Sequence, residues 1–429
     1  MSFEKFNLDA RLLKAITEAG YNAPSEIQQK TIPLAVDGRD LMASAPTGTG
    51  KTAAFVLPAL QRLSTSKPGP GQGPRVLVLT PTRELANQVA DNIYKFTRYL
   101  KMRSCSIVGG MPYPPQIRML KTPLDFMVAT PGRLIDHINS GRIDFSRLEI
   151  LVLDEADRML DMGFIDDVKR IAGLAPAKRQ TILFSATLEG AILPVARQLL
   201  NDPVQVQVAG VKFRHDAITQ HMHQADDFRH KRSLLNHVLT GDDVVQSIIF
   251  TATKKGADEL AERLKVEGHQ VAALHGDMRQ SQRKRTIDRL SRKQLKVLVA
   301  TDVAARGLDI KGISHVINFD LPMQAEDYVH RIGRTGRGGS TGTAVSLIGP
   351  KDWDLLSRIE KLIESRLEIT EISGLEPKLP RPKVTSGRSQ GNRRKPNIRF
   401  KKRGEGQAAN KPASFRSRAK QQGRSKQAA

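Results

Sequence analysis

Short runs of apolar residues alternate along the chain with longer segments in which apolar and polar positions mix. The clearest runs are residues 76–79, 126–129, 150–153, 181–184, 248–251, 271–274, 297–300 and 315–319. Continuous apolar runs of this length are typical of strands buried on both faces of a sheet. Each is followed by a turn, a polar motif or a segment of helical character. The alternation predicts an α/β fold with parallel sheets flanked by helices.

The same pattern divides the chain into four parts. We predict a first α/β domain over residues 1–205, a linker over 206–220, a second α/β domain over 221–375 and a tail over 376–429. The linker lies within the segment from about residue 201 to 221, which holds one proline, Pro203, and has little helical periodicity. Residues 64–74, rich in Pro and Gly, are expected to form a surface loop. After about Leu375 the periodicity ends, so we expect the tail to be disordered.

Charge is concentrated in that tail. The formal net charge of the chain is +24, and residues 376–429 hold 17 Lys or Arg and 2 Glu, a net of +15 that leaves +9 for the rest. A basic segment of this kind favours a polyanionic partner. The alternative is a tail that only aids solubility.

Cysteine content and hydropathy bear on disulfides, metal sites and location. Cys105 is the single cysteine, so no intramolecular disulfide and no Cys/His zinc cluster is expected. No run of about 18 apolar residues occurs, so we expect no membrane span. Residues 1–8 lack a cationic segment followed by an apolar core, so we expect no secretory signal and a cytoplasmic location.

Residues 45–52 have the composition of a phosphate-binding loop. They follow an apolar stretch, precede a good helix-forming segment and read Ala45-Pro46-Thr47-Gly48-Thr49-Gly50-Lys51-Thr52. The glycines let backbone N–H groups turn toward phosphate oxygens, Lys51 is expected to reach the β- and γ-phosphates, and Thr52 is expected to ligate Mg²⁺. Ala45 stands where the usual pattern has glycine. The motif and its context predict an ATP–Mg²⁺ site.

An acidic motif follows one of the predicted strands. Residues 150–153 lead into Asp154-Glu155-Ala156-Asp157. A carboxylate at the carboxyl end of a buried strand is where a Walker-B aspartate holds Mg²⁺, which predicts that Asp154 holds Mg²⁺ through a bound water. Glu155 would then orient and deprotonate the attacking water.

Three arginines recur at intervals of three residues late in the chain. They are Arg331, Arg334 and Arg337, set among glycines after His330. Phosphoryl transfer needs positive charge near the γ-phosphate in the transition state. Because like charges at this spacing would repel each other, we expect them to face an anion held between the two domains.

Taken together, the motifs resemble those of the DEAD-box RNA helicases, from about residue 3 to about residue 369. Residues 20–28 resemble the Q motif of that family, which implies that Gln28 reads the adenine edge. It also implies that an aromatic ring packs on the base: Tyr21 is the first candidate, with Phe3 and Phe6 as alternatives. The resemblance implies two tandem RecA-like domains, ATP and Mg²⁺ as cofactors, and RNA-stimulated ATP hydrolysis.

The resemblance also assigns roles to residues in the remaining motifs. RNA contacts are implied for Thr82, Arg83, Gly110, Thr130, Arg133 and Thr301. Coupling of nucleotide state to strand separation is implied for Ser185, Thr187, Asp157 and His330. Asp309 would approach the ribose, and Arg334 and Arg337 would stabilise the γ-phosphate. The expected contacts are to phosphate and 2′-hydroxyl groups, so recognition of RNA should be independent of sequence.

Some segments are similar to one bacterial subgroup of the family in particular. These are residues 45–60, 154–164, 183–190 and 223–231, and a related bacterial subgroup shares much of them. The similarity implies a role in assembly of the large ribosomal subunit, with ribosomal RNA and ribosomal proteins as partners. We expect the protein to be a monomer.

Two other classes of function use some of the same motifs. A DNA helicase or translocase would share the phosphate loop, the acidic motif and the arginines, but would lack the Gln28 motif and the pattern of residues 81–85. A non-catalytic RNA clamp would have lost part of the hydrolytic set, and in this chain Lys51, Thr52, Asp154, Glu155, Arg334 and Arg337 are all present.

Overall fold

The computed structural model describes residues 2–45, 49–186, 188, 190–208, 218–305, 308, 310, 312–336 and 341–381. The first lobe contains seven strands, which are β1 (Leu41–Ser44), β2 (Val76–Leu79), β3 (Ser104–Ile107), β4 (Phe126–Ala129), β5 (Ile150–Leu153), β6 (Gln180–Ser185) and β7 (Val204–Gln207). All are parallel, in the order β3-β4-β2-β5-β6-β1-β7.

Helices cover both faces of this sheet. After a 3₁₀ turn at Phe3–Phe6 they are α1 (Ala10–Glu18), α2 (Glu26–Val36), α3 (Lys51–Thr65), α4 (Arg83–Phe96), α5 (Tyr113–Leu120), α6 (Pro131–Asn139), α7 (Ala156–Asp161), α8 (Ile165–Leu174) and α9 (Ile192–Leu199).

The second lobe has a parallel sheet of six strands. Its strands are β8 (Ile218–Gln224), β9 (Ser247–Phe250), β10 (Val271–Leu274), β11 (Val297–Ala300), β12 (His315–Asn318) and β13 (Gly342–Ile348), in the order β10-β11-β9-β12-β13-β8. Its helices are α10 (Phe228–Leu239), α11 (Lys254–Val266), α12 (Gln280–Ser291), α13 (Asp302–Ala305), α14 (Ala325–Ile332) and α15 (Trp353–Ile363). Within the described ranges, no helix combines the length and apolar character needed to cross a membrane.

The apolar runs form strands because both faces of each sheet are buried. In β2, Val76 and Val78 join the core on one face, whereas Leu77 and Leu79 join the core on the other. Side chains alternate between the faces of a strand, so a strand covered by helices on both sides has to be apolar at every position. The predicted α/β class with two RecA-like lobes is confirmed.

The predicted linker is too long at both ends. Val206 and Gln207 belong to β7, which pairs with β1, and Ile218 begins β8, which pairs with β13. Both strands mix polar and apolar residues, and this alternation suits edge strands although it shows no helical period. Of the predicted linker, residues 209–217 lie outside the described ranges.

The second lobe continues beyond Leu375, where its end was predicted. Asp226 accepts hydrogen bonds from the backbone N–H groups of Lys378 (2.8 Å) and Leu379 (2.9 Å), and Gln224 donates to the carbonyl of Leu379 (2.7 Å). We call residues 369–381 the strap. The expectation of disorder immediately after Leu375 was wrong for residues 376–381, because these hydrogen bonds hold them to the lobe. Earlier in the strap, Ile372 and Leu375 pack against the apolar core of the lobe. The rest of the tail lies outside the described residues.

Candidate functional site

The phosphate loop ends at a glycine whose conformation is rare for other residues. Gly50 has φ +88° and caps the N-terminus of α3, which begins at Lys51. A Cβ at Gly50 would lie 2.3 Å from Nε2 of Gln28, so only glycine allows this approach. Lys51 is buried, and its ammonium donates to the carbonyl of Ala45 at 2.9 Å. Thr49 and Thr52 are half-buried beside it, and Thr47 and Gly48 lie outside the described residues.

Gln28 connects the Q motif to the phosphate loop. Its Oε1 accepts from the N–H of Ser25 (2.9 Å), and its Nε2 donates to the carbonyl of Gly50 (3.0 Å). Backbone groups thus satisfy both ends of the amide and fix its orientation at the start of α2. The reading of adenine by Gln28 stays a prediction.

The aromatic candidates for the base differ in exposure. Phe3 is buried in the core, whereas Tyr21 and Phe6 are half-buried. The Tyr21 ring packs edge-on against Phe3 (centroids 6.4 Å apart) and Phe96 (5.5 Å). These contacts favour Tyr21 or Phe6 over Phe3 as the ring that meets the base.

Asp154 is the most deeply buried carboxylate of the predicted site. It is 3% exposed, and its Oδ1 has no hydrogen-bond partner among the described residues. Burial raises the pKa of Asp154 to about 7, while the charge of Lys51 opposes that rise. A buried carboxylate oxygen without a partner is costly unless a cation or donor meets it.

This environment fits Mg²⁺. The described residues contain no group of three or more His, Cys, Asp or Glu side chains able to hold a metal by themselves. Mg²⁺ bound with nucleotides needs no such group, because it keeps several waters and takes one or two protein ligands together with phosphate oxygens. Asp154 and the Thr52 hydroxyl are the side chains that would hold it.

The neighbouring Glu155 has a strained backbone. With φ 53° and ψ 52° it lies in the left-handed region and caps the N-terminus of α7. Non-glycine residues in that region cost of order 1 kcal/mol or more and are concentrated at functional sites. This turn lies directly after Asp154, which follows the end of β5.

Asp157 joins the acidic motif to the end of β6. Its Oδ2 accepts from the N–H of Ala186 (3.0 Å), and the hydroxyl of Ser44 donates to the carbonyl of Ala186 (2.8 Å). The buried Ser185 thus lies where the ends of β1, β5 and β6 are linked. The coupling assigned to Asp157 and Ser185 stays a prediction. Thr187 lies outside the described residues, and His330 is half-buried in the last turn of α14.

Arg331 and Arg334, two of the three arginines spaced at intervals of three residues, have different partners. Arg331 is buried, and its guanidinium donates to both carboxylate oxygens of Asp302, at 2.6 and 2.7 Å. The anion of Arg331 is therefore a carboxylate of its own lobe, and the expectation that it faces an anion between domains was wrong. Arg334 follows the helix and donates to the carbonyl of Leu308 at 2.8 Å. Arg337 and Asp309 lie outside the described residues.

Arg83 packs against the Gly109–Gly110 turn. Thr82 caps α4, its hydroxyl accepting from the N–H of Leu85 at 3.3 Å, and Arg83 begins the helix. A Cβ at Gly110, which has φ +72°, would lie 2.3 Å from Nη1 of Arg83. The motif around Thr82 and the glycine turn, predicted separately to contact RNA, are thus brought together.

The other predicted RNA contacts are more enclosed. Arg133 donates to the carbonyl of Met111 (2.8 Å) and lies 4.1 Å from the ring centroid of Tyr113. Thr130 and Thr301 are both buried at the starts of helices, Thr130 before α6 and Thr301 before α13. Both follow strand ends, and their contact with RNA stays a prediction. The structure also gives Arg133 a packing role that the sequence did not indicate.

Comparisons with known proteins agree with this geometry. Residues 25–193 match the DEAD/DEAH box helicase family, and residues 230–339 match the helicase conserved C-terminal domain. The chain is 45% identical over 401 residues to the ATP-dependent RNA helicase SrmB of Haemophilus influenzae, covering 92% of this chain and 91% of that protein. The chain belongs to the DEAD-box helicase family.

Two further similarities support this membership. SrmB of Escherichia coli strain K12 is 45% identical over 385 residues, covering 89% of this chain and 86% of that protein. The structure of Saccharomyces cerevisiae Dbp5 bound to RNA and ADP BeF3 superposes with a TM-score of 0.78 at 35% identity, covering 88% of this chain and 95% of that one. DEAD-box helicases are RNA-dependent ATPases, and the class of this chain is that of the DEAD-box RNA helicases.

The two lobes of this helicase contact each other beside both candidate sites. Arg158, next to Asp157, lies 2.6 Å from the carboxylate of Asp327, three residues before His330. Glu84, next to Arg83, accepts from Nε (3.0 Å) and Nη2 (2.8 Å) of Arg283. The partners of the second pair are 199 residues apart. Sequence reasoning predicted neither pair, although Glu84 lies within the pattern of residues 81–85. Only their positions beside motifs could have drawn attention to them.

Proposed function

We propose that this helicase hydrolyses ATP in an RNA-dependent manner, separates short RNA duplexes or remodels RNA–protein complexes, and acts in assembly of the large ribosomal subunit. The observation that carries the proposal is the pair of buried inter-lobe ion pairs. One lies beside the acidic motif and the other beside the predicted RNA contacts. Closing the lobes therefore affects both sites together, which is the requirement for linking two ligands.

ATP would be held mainly by the first lobe. Gln28 and an aromatic ring would bind the base, and the phosphate loop with Lys51 would bind the phosphates. Mg²⁺, held by Asp154 and Thr52, would supply positive charge to the phosphate oxygens. Glu155 would accept the proton of the attacking water, and Arg334 and Arg337 would bring positive charge from the second lobe.

RNA would be held through its backbone at the ends of the strands. Thr82, Arg83, Gly110 and Thr130 in the first lobe and Thr301 in the second offer hydroxyl, guanidinium and N–H groups. Such contacts position RNA without reading its sequence. If the closed lobes hold a bent strand, that strand cannot remain in a regular A-form duplex, so a short helix would open locally.

Strand displacement tests the helicase activity. A short RNA duplex should separate when ATP is added, and Glu155→Gln should bind ATP and RNA but not turn over. Displacement that proceeds equally without any nucleotide would contradict the proposal.

The ribosomal part of the proposal rests on similarity to the SrmB proteins. It includes ribosomal RNA and ribosomal proteins as partners, a cytoplasmic location and a monomeric enzyme. Deleting the gene in the source organism should cause large-subunit precursors to accumulate, as measured by sucrose-gradient sedimentation. Restoration by the wild-type gene but not by Glu155→Gln would tie the effect to hydrolysis, and an unchanged subunit profile would contradict this role.

A further inference from the structure

The helix α12 and its flanking residues are unusually basic. Residues 279–296 contain eight Lys or Arg and one acidic residue, Asp288. Arg283 is buried against Glu84, but Arg285, Arg289 and Arg292 are exposed, as are the lysines beside them. In the part of the chain that the structure describes, these three arginine side chains have no hydrogen-bond or ion-pair partner. Their charge is therefore available to a ligand.

The spacing of these arginines places them on one face. Positions i, i+4 and i+7 of a helix are neighbours along its surface, and like charges at that spacing destabilise an isolated helix. Between Arg285 and Arg292 the axis rises by about 10 Å. A row of unpaired positive charges of this length suits the regularly spaced phosphates of a nucleic-acid strand.

The helix begins at the predicted RNA-contacting surface. Gln280 accepts from Nη1 of Arg83 at 3.3 Å and approaches the position that a Cβ at Gly110 would take, at 3.5 Å. From Gln280 to Arg292 the axis extends about 18 Å. The helix packs on β10, the edge strand of its sheet, so its outer face continues from the RNA contacts toward solvent.

We propose that the exposed face of α12, defined by Arg285, Arg289 and Arg292, binds the backbone of RNA that extends beyond the core site. This inference rests on the proposed function, since it presumes that RNA occupies the core. It assigns to the second lobe a contact that lengthens the bound stretch of the same strand. The contact is electrostatic, so it is independent of sequence and weakens with salt.

The test uses the full-length chain carrying Arg285→Gln, Arg289→Gln and Arg292→Gln together. The matched control carries Lys351→Gln, Arg358→Gln and Lys361→Gln. These control residues are also exposed and belong to the same lobe, but they lie on and beside α15, which packs against β8 and β13 at the opposite edge of the sheet. Both variants lose three positive charges, so a general effect of net charge appears in both.

The probes are oligouridylates of about six and about twenty nucleotides, and the readouts are RNA affinity and the RNA concentration for half-maximal ATPase. The α12 variant should lose affinity for the longer RNA only, with its maximal ATPase rate retained. Raising salt from about 50 to about 200 mM weakens the binding of the longer RNA by some factor in each protein. If each arginine contacts one phosphate, that factor should be about 20 times smaller for the variant than for the wild type. Arg→Lys at the same three positions should retain most of the binding.

Equal loss for both RNAs, equal loss in the control variant, or an unchanged salt dependence would overturn the inference. A wild-type enzyme whose ATPase responds to neither RNA would overturn the proposed function itself, and with it this inference. That result is distinguishable because it appears before any substitution is made.

Discussion

Single residues at the strand ends of the first lobe have unusual environments. Gly50 and Glu155 both have positive φ, and among the residues that the structure describes none pairs with the buried Oδ1 of Asp154. The sequence indicated these positions through the loop and acidic motifs. It could not indicate the left-handed turn at Glu155, because nothing in the side chain of a glutamate favours that conformation. The strain belongs to the strand-to-helix geometry rather than to the residue.

The Gly109–Gly110 turn gives a prediction at this scale. Gly110→Ala would displace the Arg83 guanidinium and would place alanine at φ +72°, at a cost of about 1 kcal/mol. That strain is present with or without RNA, whereas displacing the guanidinium weakens a contact made only when RNA is bound. If that contact contributes about 1 kcal/mol, the RNA concentration for half-maximal ATPase should rise about fivefold. Gly141→Ala is the control, because alanine there has a similar positive φ (+65°) and its Cβ meets nothing within 4 Å. Unchanged RNA dependence in Gly110→Ala would contradict the assigned contact.

Buried histidines predict a dependence of stability on pH. Burial lowers the pKa of His137 and of His315, so the folded state resists a proton that the unfolded chain accepts near pH 6.5. The unfolded state then binds more protons in acid, and the free energy of unfolding should fall as pH falls below about 6.5. Urea unfolding at about pH 7.5 and about pH 5.5 measures this. His137→Phe should reduce the difference in unfolding free energy between the two pH values. An identical difference in that variant would contradict the role of His137.

Among the secondary-structure elements, the buried strands were the most predictable. The runs at Val76–Leu79, Phe126–Ala129, Ile150–Leu153, Val271–Leu274 and Val297–Ala300 match the strands observed. The strands β3, β7, β8 and β13 were missed, because each lies at or near a sheet edge and carries Ser, Gln or His. Strand order and the inter-lobe pairs depend on contacts between distant residues, which periodicity does not encode.

The strap gives a prediction for the similarity noted at residues 223–231. His223, Gln224, Asp226 and His230 from this segment all bond to backbone groups of the strap. Residues 223–231 therefore form the surface on which the strap is held. Asp226→Asn leaves one acceptor where two N–H groups were held, so amide exchange of Lys378 and Leu379 should quicken. Asp242→Asn, at an exposed site, is the control. Unchanged protection in Asp226→Asn would show that the carboxylate does not hold the strap.

At the scale of the whole molecule, the inter-lobe ion pairs are expected to govern closure. Asp327→Asn would leave Arg158 without its partner from the second lobe, and opening the lobes would allow that guanidinium to hydrate. The substitution should therefore disfavour the closed lobes rather than unfold the protein. It should raise the ATP and RNA concentrations needed for half-maximal ATPase. Asp161→Asn is the control, because Asp161 pairs with Arg158 within the first lobe at 3.0 Å.

A double-mutant cycle separates closure from local damage. Arg158→Met combined with Asp327→Asn should be less impaired than the two single effects added together, with a coupling of at least about 0.5 kcal/mol. Strictly additive effects would show that this pair does not contribute to closure.

The basic tail provides the other prediction for the whole chain. Removing residues 382–429, which leaves the strap intact, should weaken RNA affinity and raise the RNA needed for half-maximal ATPase. The maximal rate should change little, because the residues assigned to hydrolysis precede the tail. A full-length chain with the tail's Lys and Arg replaced by Gln should behave alike, since charge is the proposed cause. A large fall in maximal rate in the truncated chain would contradict this.

The central claim is that RNA binding and ATP hydrolysis are linked through Glu155 and the closing of two lobes. The most direct test is steady-state ATP hydrolysis with no nucleic acid, with single-stranded RNA and with DNA of equal length, for the wild type and Glu155→Gln. The account predicts strong stimulation by RNA, much less by DNA, and loss of stimulated hydrolysis in the variant. Hydrolysis indifferent to RNA would favour a clamp, and equal stimulation by DNA would favour a DNA translocase; either result would contradict the account.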